Sequence, residues 1–222
     1  MNSQLPREIN EIIIAKAKEF GASLAGFADP ASLKNSPSYI ARKDISFDHN
    51  FKVILVLALV HGESEPELDW GARKPYHTPG NRRLIEIGEE LSSWLKKEYE
   101  IVSENIPYST GKGGIFLKDA AAIAGLGIIG KNNLLITPEY GPRVRLSAMT
   151  INTTISSTEP SEFDPCSDCD MPCKNECPQG AFSEGDYNKT KCNIQMYIDE
   201  ESIDAIKYCR KCEFSCPVGR EI

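Results

Sequence analysis

The sequence predicts an α+β protein of two domains, an α/β domain over residues 1–155 and a small cysteine-rich domain over residues 156–222. Three observations carry this. Apolar residues recur at helical spacing in two long stretches, the run at 53–60 has the length of a buried strand, and all eight cysteines fall in the last quarter of the chain.

Between residues 6 and 20, Ile9, Ile12, Ile13, Ala17 and Phe20 repeat on one helical face, and Gly21 reads as the stop. Residues 24–28 form a short apolar strand ending at Asp29-Pro30, and the Ser/Asn/Pro segment up to residue 38 reads as loop. From residue 51 to 60 only Lys52 is polar, which suits a central strand covered on both faces. Residues 61–80, with Pro66, Pro75, Pro79, Gly62, Gly71 and Gly80, read as a long surface excursion. Trp70, Tyr76 and His77 are its residues of interest, although a solvated or packed role is the commoner one for a histidine such as His77. Leu84, Ile85, Ile87, Leu91, Trp94 and Leu95 then mark a second helix over residues 82–100, with the next strand starting at 101–102.

Residues 106–114 are rich in turn formers and 116–124 make an alanine-rich helix. The glycines of Gly125-x-Gly127-x2-Gly130 have the spacing of a nucleotide-binding loop, which should follow a strand and open a helix. Here a helix precedes and a strand, 134–137, follows, so that reading fails. Glycines at this density still bring the backbone close to a neighbour or turn it with positive φ. Residues 139–142 read as a hairpin turn and 143–153 alternate as a strand.

The cysteines run Cys166-x2-Cys169-x3-Cys173-x3-Cys177-Pro178, then Cys192, then Cys209-x2-Cys212-x3-Cys216-Pro217. An iron-sulfur cubane needs four thiolates converging on one object. Two cysteines separated by two residues reach it from a single turn, whereas in two-cluster ferredoxins the cysteine before proline ligates the other cluster. Crossing the fourth ligand in this way gives one [4Fe-4S] set of Cys166, Cys169, Cys173 and Cys216 and another of Cys177, Cys192, Cys209 and Cys212. The three residues between Cys169 and Cys173 require a bulge around Met171 and Pro172, and sixteen residues interrupt the second set between Cys192 and Cys209. Two zinc sites of four cysteines each are the chemical alternative.

The N-terminus, MNSQLPREINEIIIAKAKEF, lacks the charged, apolar and cleavable regions of an export signal. A reducing, cytoplasmic compartment is therefore expected, where disulfides are rare. The longest apolar run is far short of a membrane span, so no membrane partner is expected. Formal net charge is −7, and Glu162, Asp164, Asp168, Asp170 and Glu176 crowd the cysteine loops. With no basic stripe to grip phosphates, nucleic acid is not expected as a partner. The cysteine-rich domain is short and polar, so metal must supply much of its folding free energy.

The segment AGLGIIGKNNLLITPEYGPRVRLSAMT followed by two crossed cysteine sets resembles the corrinoid-dependent iron-sulfur family that contains epoxyqueuosine reductase and the reductive dehalogenases. The resemblance runs from about residue 41 to 217 and takes in Tyr76-His77 and the helix at 82–100. It implies an N-terminal α/β sandwich, nitroreductase-like, that holds a base-off cobalamin, and a ferredoxin-like domain with two [4Fe-4S] clusters. By the same resemblance the cluster of Cys166, Cys169, Cys173 and Cys216 is the one nearer cobalt and hands it single electrons. Gly125, Gly127, Gly130, Lys131, Asn132, Asn133 and Arg143 are then implied to line the corrinoid and its nucleotide tail. The bottom-up reading agrees in kind, since glycine amides can approach a ligand and Lys131 and Arg143 can meet phosphate or amide groups. The alternative is that this loop only packs the ferredoxin-like domain against the sheet.

Several departures bear on activity. Where the family's reductases carry a proton-donating aspartate before the AGLG segment, this chain has Gly111, and Lys74-Pro75 stands for the Arg-Asp before Tyr-His. The sequence closes soon after Cys216, without the helical extension associated with tRNA recognition. Tyr108 and Lys112, in the loop where the aspartate is missing, are the candidate catalytic proton donors. The expected function is a redox protein passing low-potential electrons from a donor protein through two clusters to a corrinoid, bound or presented by a partner. The alternatives are a corrinoid-dependent reductase, an oxidoreductase of the epoxyqueuosine reductase-like class acting on an epoxide or halide, and a plain ferredoxin-type carrier.

Overall fold

The computed structural model describes residues 8–47, 49–62, 78–183, 187–201 and 209–220. Trp70, Tyr76 and His77 lie outside the described residues. The chain forms two compact units, one of Met1–Leu59, Arg83–Leu126 and Leu146–Ser161, the other of Val60–Arg82, Gly127–Arg145 and Glu162–Ile222.

In the first unit, α1 (Ile9–Glu19) buries Ile9, Ile13 and Ala17, the positions that repeat on one helical face. β1 (Leu24–Ala28) keeps the bounds expected from its apolar run. The expected loop up to residue 38 instead holds two short helices, α2 (Pro30–Lys34) and α3 (Pro37–Ala41). The prolines that read as breakers each sit in a first helical turn, where the missing N–H costs nothing. Asp29 caps α2 by accepting from the Ser32 N–H at 2.7 Å.

β2 (Val53–Val60) lies between β1 and β6 (Val144–Ile151) in a four-stranded sheet of order β1-β2-β6-β3, with β3 spanning Ser103–Asn105. β1 runs antiparallel to β2, Leu24 opposite Ala58, and β3 antiparallel to β6, Ser103 opposite Ile151. Val53, Leu55 and Leu57 join the core with Ile13, Leu84, Ile87 and Leu91, while Ile54, Val56 and Ala58 on the other face are equally buried. The central strand is thus covered on both sides, as its sequence indicated. Thr158 closes the edge of β1: its hydroxyl accepts from the Phe27 N–H at 2.7 Å and its own N–H donates to the Phe27 carbonyl at 2.9 Å.

α4 (Pro79–Tyr99) begins three residues before the expected helix, again with proline at its start, and buries Leu84, Ile87, Leu91 and Leu95. A 3-10 turn, Thr110–Lys112, leads to α5 (Leu117–Ile123), whose buried Asp119 accepts from the Ser38 N–H at 3.1 Å and hydroxyl at 2.6 Å.

The glycine-rich stretch enters no helix. It forms a hairpin of β4 (Ile128–Ile129) and β5 (Leu135–Ile136), Ile128 opposite Ile136. The second unit also holds α6 (Pro172–Asn175), α7 (Lys189–Glu201) and α8 (Lys211–Phe214). Among the described residues no helix is long and apolar enough to cross a membrane.

Candidate functional site

Every cysteine belongs to the second unit. α6 is entered through Met171, which is left-handed with φ 55° and ψ 53°, followed by Pro172 in the first turn. This step absorbs the extra residue between Cys169 and Cys173, at the place where a bulge was expected, and leaves Cys173 buried. α7 carries Cys192 in its first turn, α8 carries Cys212, and Cys216 follows the end of α8.

Cys166, Cys169 and Cys173 line one cavity together with Cys216, so the fourth thiol comes from the other run. The rest of its wall is largely apolar: Ile136, Met171, Val218, Pro165, Pro172 and Pro217. The other four thiols neighbour one another, Cys212 facing the charges of Cys209, Cys192 and Cys177. Among the described residues no three His, Cys, Asp or Glu groups are placed to hold a single metal ion. Burial, reinforced by neighbouring thiols, raises Cys173, Cys209 and Cys216 and pushes Cys212 up to about 12. Such thiols keep their protons at neutral pH until a multivalent cation draws them off.

The loops bearing the thiols are held through their carbonyls. Arg143, buried, donates from Nη1 to the Val218 carbonyl at 2.6 Å and from Nη2 to the Cys216 carbonyl at 3.0 Å. Lys131 Nζ donates to the Cys166 carbonyl at 2.6 Å, and Asn132, also buried, donates to the Cys212 carbonyl at 3.2 Å while accepting from the Leu134 N–H. Gly141 and Gly219, both at positive φ, let the hairpin turn and the loop after Cys216 touch backbone to backbone; a Cβ on Gly141 would overlap the Val218 carbonyl. Gly127 and Gly130 are likewise filled from within, against Ile136, and Gly125 against the Glu159 carbonyl in the first unit. Asn133 is left-handed at φ 59°.

Around the second thiol group, the Ala181 N–H donates to Cys177 Sγ at 3.2 Å and the Tyr187 hydroxyl is hydrogen-bonded to Cys192. Burial, then that bond, raises the Tyr187 pKa. Asp199 accepts from the Cys209 N–H at 2.7 Å and from Gln195, which in turn accepts from Gln179. Beside them, buried Arg210 pairs with Glu213 at 2.6 Å and donates to His61 Nδ1 at 2.6 Å. Burial first, then the cations of Arg210, Arg145 and Arg143, hold the His61 pKa down at about 3, so the ring is neutral. None of Tyr187, Asp199, His61, Arg210 and Glu213 stood out in the sequence; proximity to cysteines was the available signal for all but His61.

Tyr108 and Lys112 belong to the first unit, Tyr108 half-buried and Lys112 exposed on the 3-10 turn. Gly111 lies beside Lys112 on that turn.

No family model matches the chain. It is 35% identical over 163 residues to the epoxyqueuosine reductase of Listeria monocytogenes, covering 68% of this chain and 40% of that protein. A tetrachloroethene reductive dehalogenase of Sulfurospirillum multivorans is 37% identical over 67 residues, 29% of this chain and 13% of that one. Among solved structures, epoxyqueuosine reductase from Bacillus subtilis superposes with a TM-score of 0.70 at 23% identity, covering 96% of this chain and 66% of the other. An epoxyqueuosine reductase solved with a modified tRNA-Tyr stem loop gives 0.68 at 24%, with 96% and 66% covered. A reductive dehalogenase described in terms of B12-dependent dehalogenation gives 0.64 at 18%, with 95% and 32% covered. The chain thus spans about two fifths of the length of the curated reductase it matches. The chain is thus a relative of the epoxyqueuosine reductases by sequence, and it shares its mixed helix-and-sheet fold with them and with reductive dehalogenases.

Proposed function

We propose that this chain is an iron-sulfur redox protein that passes single low-potential electrons from a donor protein, through two [4Fe-4S] clusters, to a corrinoid that is its own or a partner's. The observation that carries the reading is the cavity lined by Cys166, Cys169, Cys173 and Cys216, a donor set of four thiols drawn from both runs. Cys177, Cys192, Cys209 and Cys212 are assigned to the second cluster. Residues 156–222 are the ferredoxin-like domain of this proposal and residues 1–155 its α/β sandwich, in a reducing cytoplasm.

Bound clusters supply one-electron chemistry at potentials set by hydrogen bonding and exposure. The chain's own part is to hold and tune. Arg143, Asn132 and Lys131 fix the thiol loops through carbonyls, while the Ala181 N–H and the Tyr187 hydroxyl donate toward the sulfurs of Cys177 and Cys192. For the corrinoid, Gly125, Gly127, Gly130, Lys131 and Asn133 remain the bordering residues. Asn132 and Arg143, buried against the cysteine loops, are reassigned to holding them.

A second reading is favoured by the relative solved with a tRNA stem loop: a corrinoid-dependent reductase of an epoxide carried on tRNA, with Tyr108 or Lys112 supplying the proton. The test is anaerobic reconstitution with iron, sulfide and cobalamin. About eight irons per chain and a base-off cobalt(II) signal are expected. Eight irons without retained corrinoid would leave a plain carrier or a reductase of another protein's corrinoid. Zinc retained in place of iron would end the reading. Turnover of an epoxyqueuosine stem loop, lost in Tyr108→Phe or Lys112→Ala, would establish the second.

A further inference from the structure

Fully buried charges are rare in folded chains, yet an ion pair lies inside the second cysteine run. Arg210 and Glu213 are 7% and 5% exposed, and each directly follows a cysteine, Cys209 and Cys212. The guanidinium donates from Nε to Glu213 Oε2 at 3.2 Å and from Nη2 to Oε1 at 2.6 Å, across the first turn of α8. It also sits 4.2 Å from the centroid of the Phe214 ring.

His61, 1% exposed, completes the arrangement from the far end of β2. Its Nδ1 accepts from Arg210 Nη2 at 2.6 Å and lies 3.6 Å from Glu213 Oε1, while its backbone N–H donates to the Arg143 carbonyl at 3.1 Å. Because an arginine can only donate, the neutral ring carries its proton on Nε2.

As a source of stability such a pair is poor. Taking two charges out of water costs about as much as their attraction returns, and well-packed apolar residues of similar volume commonly serve as well. What a buried pair provides is a fixed field, since little solvent lies around it to screen its charges. The Glu213 carboxylate already opposes ionisation of the Cys212 thiol, so that field reaches a sulfur of the second set.

We propose that Glu213 and Arg210 set the reduction potential of the cluster assigned to Cys177, Cys192, Cys209 and Cys212, with His61 as the positioning residue that fixes the guanidinium. The role rests on the iron-sulfur reading given above. Reduction adds one electron to this cluster, taken from a one-electron donor protein that is oxidised by it, and no proton moves. The carboxylate opposes the added negative charge and the guanidinium favours it. The driving force for passing that electron on to the cluster of Cys166, Cys169, Cys173 and Cys216 therefore follows the balance of two side chains.

The test is an anaerobic redox titration of the iron-loaded full chain, followed by EPR, with iron analysis of every sample. Glu213→Gln, which keeps an acceptor for Arg210, should raise the midpoint of one cluster, and Arg210→Gln should lower the midpoint of that same cluster. The other midpoint should stay at its wild-type value in both, and the cluster that shifts should be the one whose signal is missing from Cys177→Ser. His61→Phe, which leaves the guanidinium without its ring acceptor, should displace the same midpoint, and His61→Gln, which can still accept, should restore it. If Arg210→Gln takes up no iron, the isosteric Glu213→Gln decides alone. Unmoved midpoints in Glu213→Gln, equal shifts of both clusters, or shifts of one sign in Glu213→Gln and Arg210→Gln overturn the proposal. Loss of a cluster from Glu213→Gln does so too, since it gives the pair a purely structural role. Full iron loading with unmoved midpoints leaves the redox reading intact, whereas wild-type protein that binds no iron removes that reading and this proposal with it.

Discussion

Arg143 reaches from the start of β6 to the loop of Cys216, its guanidinium donating to the Cys216 carbonyl at 3.0 Å and to the Val218 carbonyl at 2.6 Å. Arg143→Met keeps the bulk and leaves both carbonyls without these donors. At roughly 1–3 kcal/mol for each unsatisfied group if fully buried, and with both carbonyls only partly buried, the cost is at most about 6 kcal/mol. Denaturant midpoints should fall accordingly, and iron bound by the Cys166 group should be lost before that bound by Cys192 and its neighbours.

The crossed thiol sets are separable by substitution. Cys216→Ser should remove the signal of the same cluster as Cys173→Ser, and Cys177→Ser that of the same cluster as Cys212→Ser, each leaving about four irons of about eight. EPR of the four single variants sorts them into pairs. Pairing of Cys216 with Cys212 instead would refute the crossing.

Two glycines differ in what surrounds them. Gly113, at φ +85°, has nothing within 4 Å of a built Cβ, so Gly113→Ala carries only left-handed strain, about 1–2 kcal/mol. Gly141, at φ +56°, faces the Val218 carbonyl, and Gly141→Ala should cost a further 1–3 kcal/mol or so through overpacking. Thermal melts of the two variants give the comparison directly, and equal shifts would contradict the close approach.

His61 makes stability depend on acid. Its pKa is depressed to about 3 in the fold, chiefly by burial, against about 6.5 in an unfolded chain. The stabilisation is complete above pH 6.5 and drains away as pH falls toward 3, because the unfolded chain takes up a proton that the folded one refuses. The slope is at most about 1.4 kcal/mol for each pH unit. Urea midpoints between pH 7 and 4 should drop less steeply in His61→Gln; identical slopes would show that the ring does not titrate as described.

Local order was legible where one residue type at one spacing carries the signal. β1 follows from the apolar run at Leu24–Ala28, and the wall of the Cys166 cavity from the rule that a cysteine before proline serves the other set. α2 and α3 were hidden because Pro30 and Pro37 read as breakers, although Asp29 and Ser36 stand where helix caps belong. Arg143 was read as a ligand-facing cation, and its bonds to carbonyls 73 and 75 residues away leave no periodicity to find. The glycines of 125–130 were rightly read as marking close approach. Which neighbour they approach, Ile136 for two of them, depends on a hairpin pairing that sequence spacing alone does not rank.

Because Cys216 completes the cavity begun by Cys166, Cys169 and Cys173, neither cysteine run can close its own set. During synthesis on the ribosome the first three thiols emerge well before the fourth and stand as an open, half-built cage. On the iron-sulfur reading proposed above, whatever delivers iron and sulfide would act late, or would shield those three in the meantime from oxidants and from any zinc that would take them. On that reading maturation becomes a timing problem, and a stall between the two runs would release a product able to trap the wrong metal.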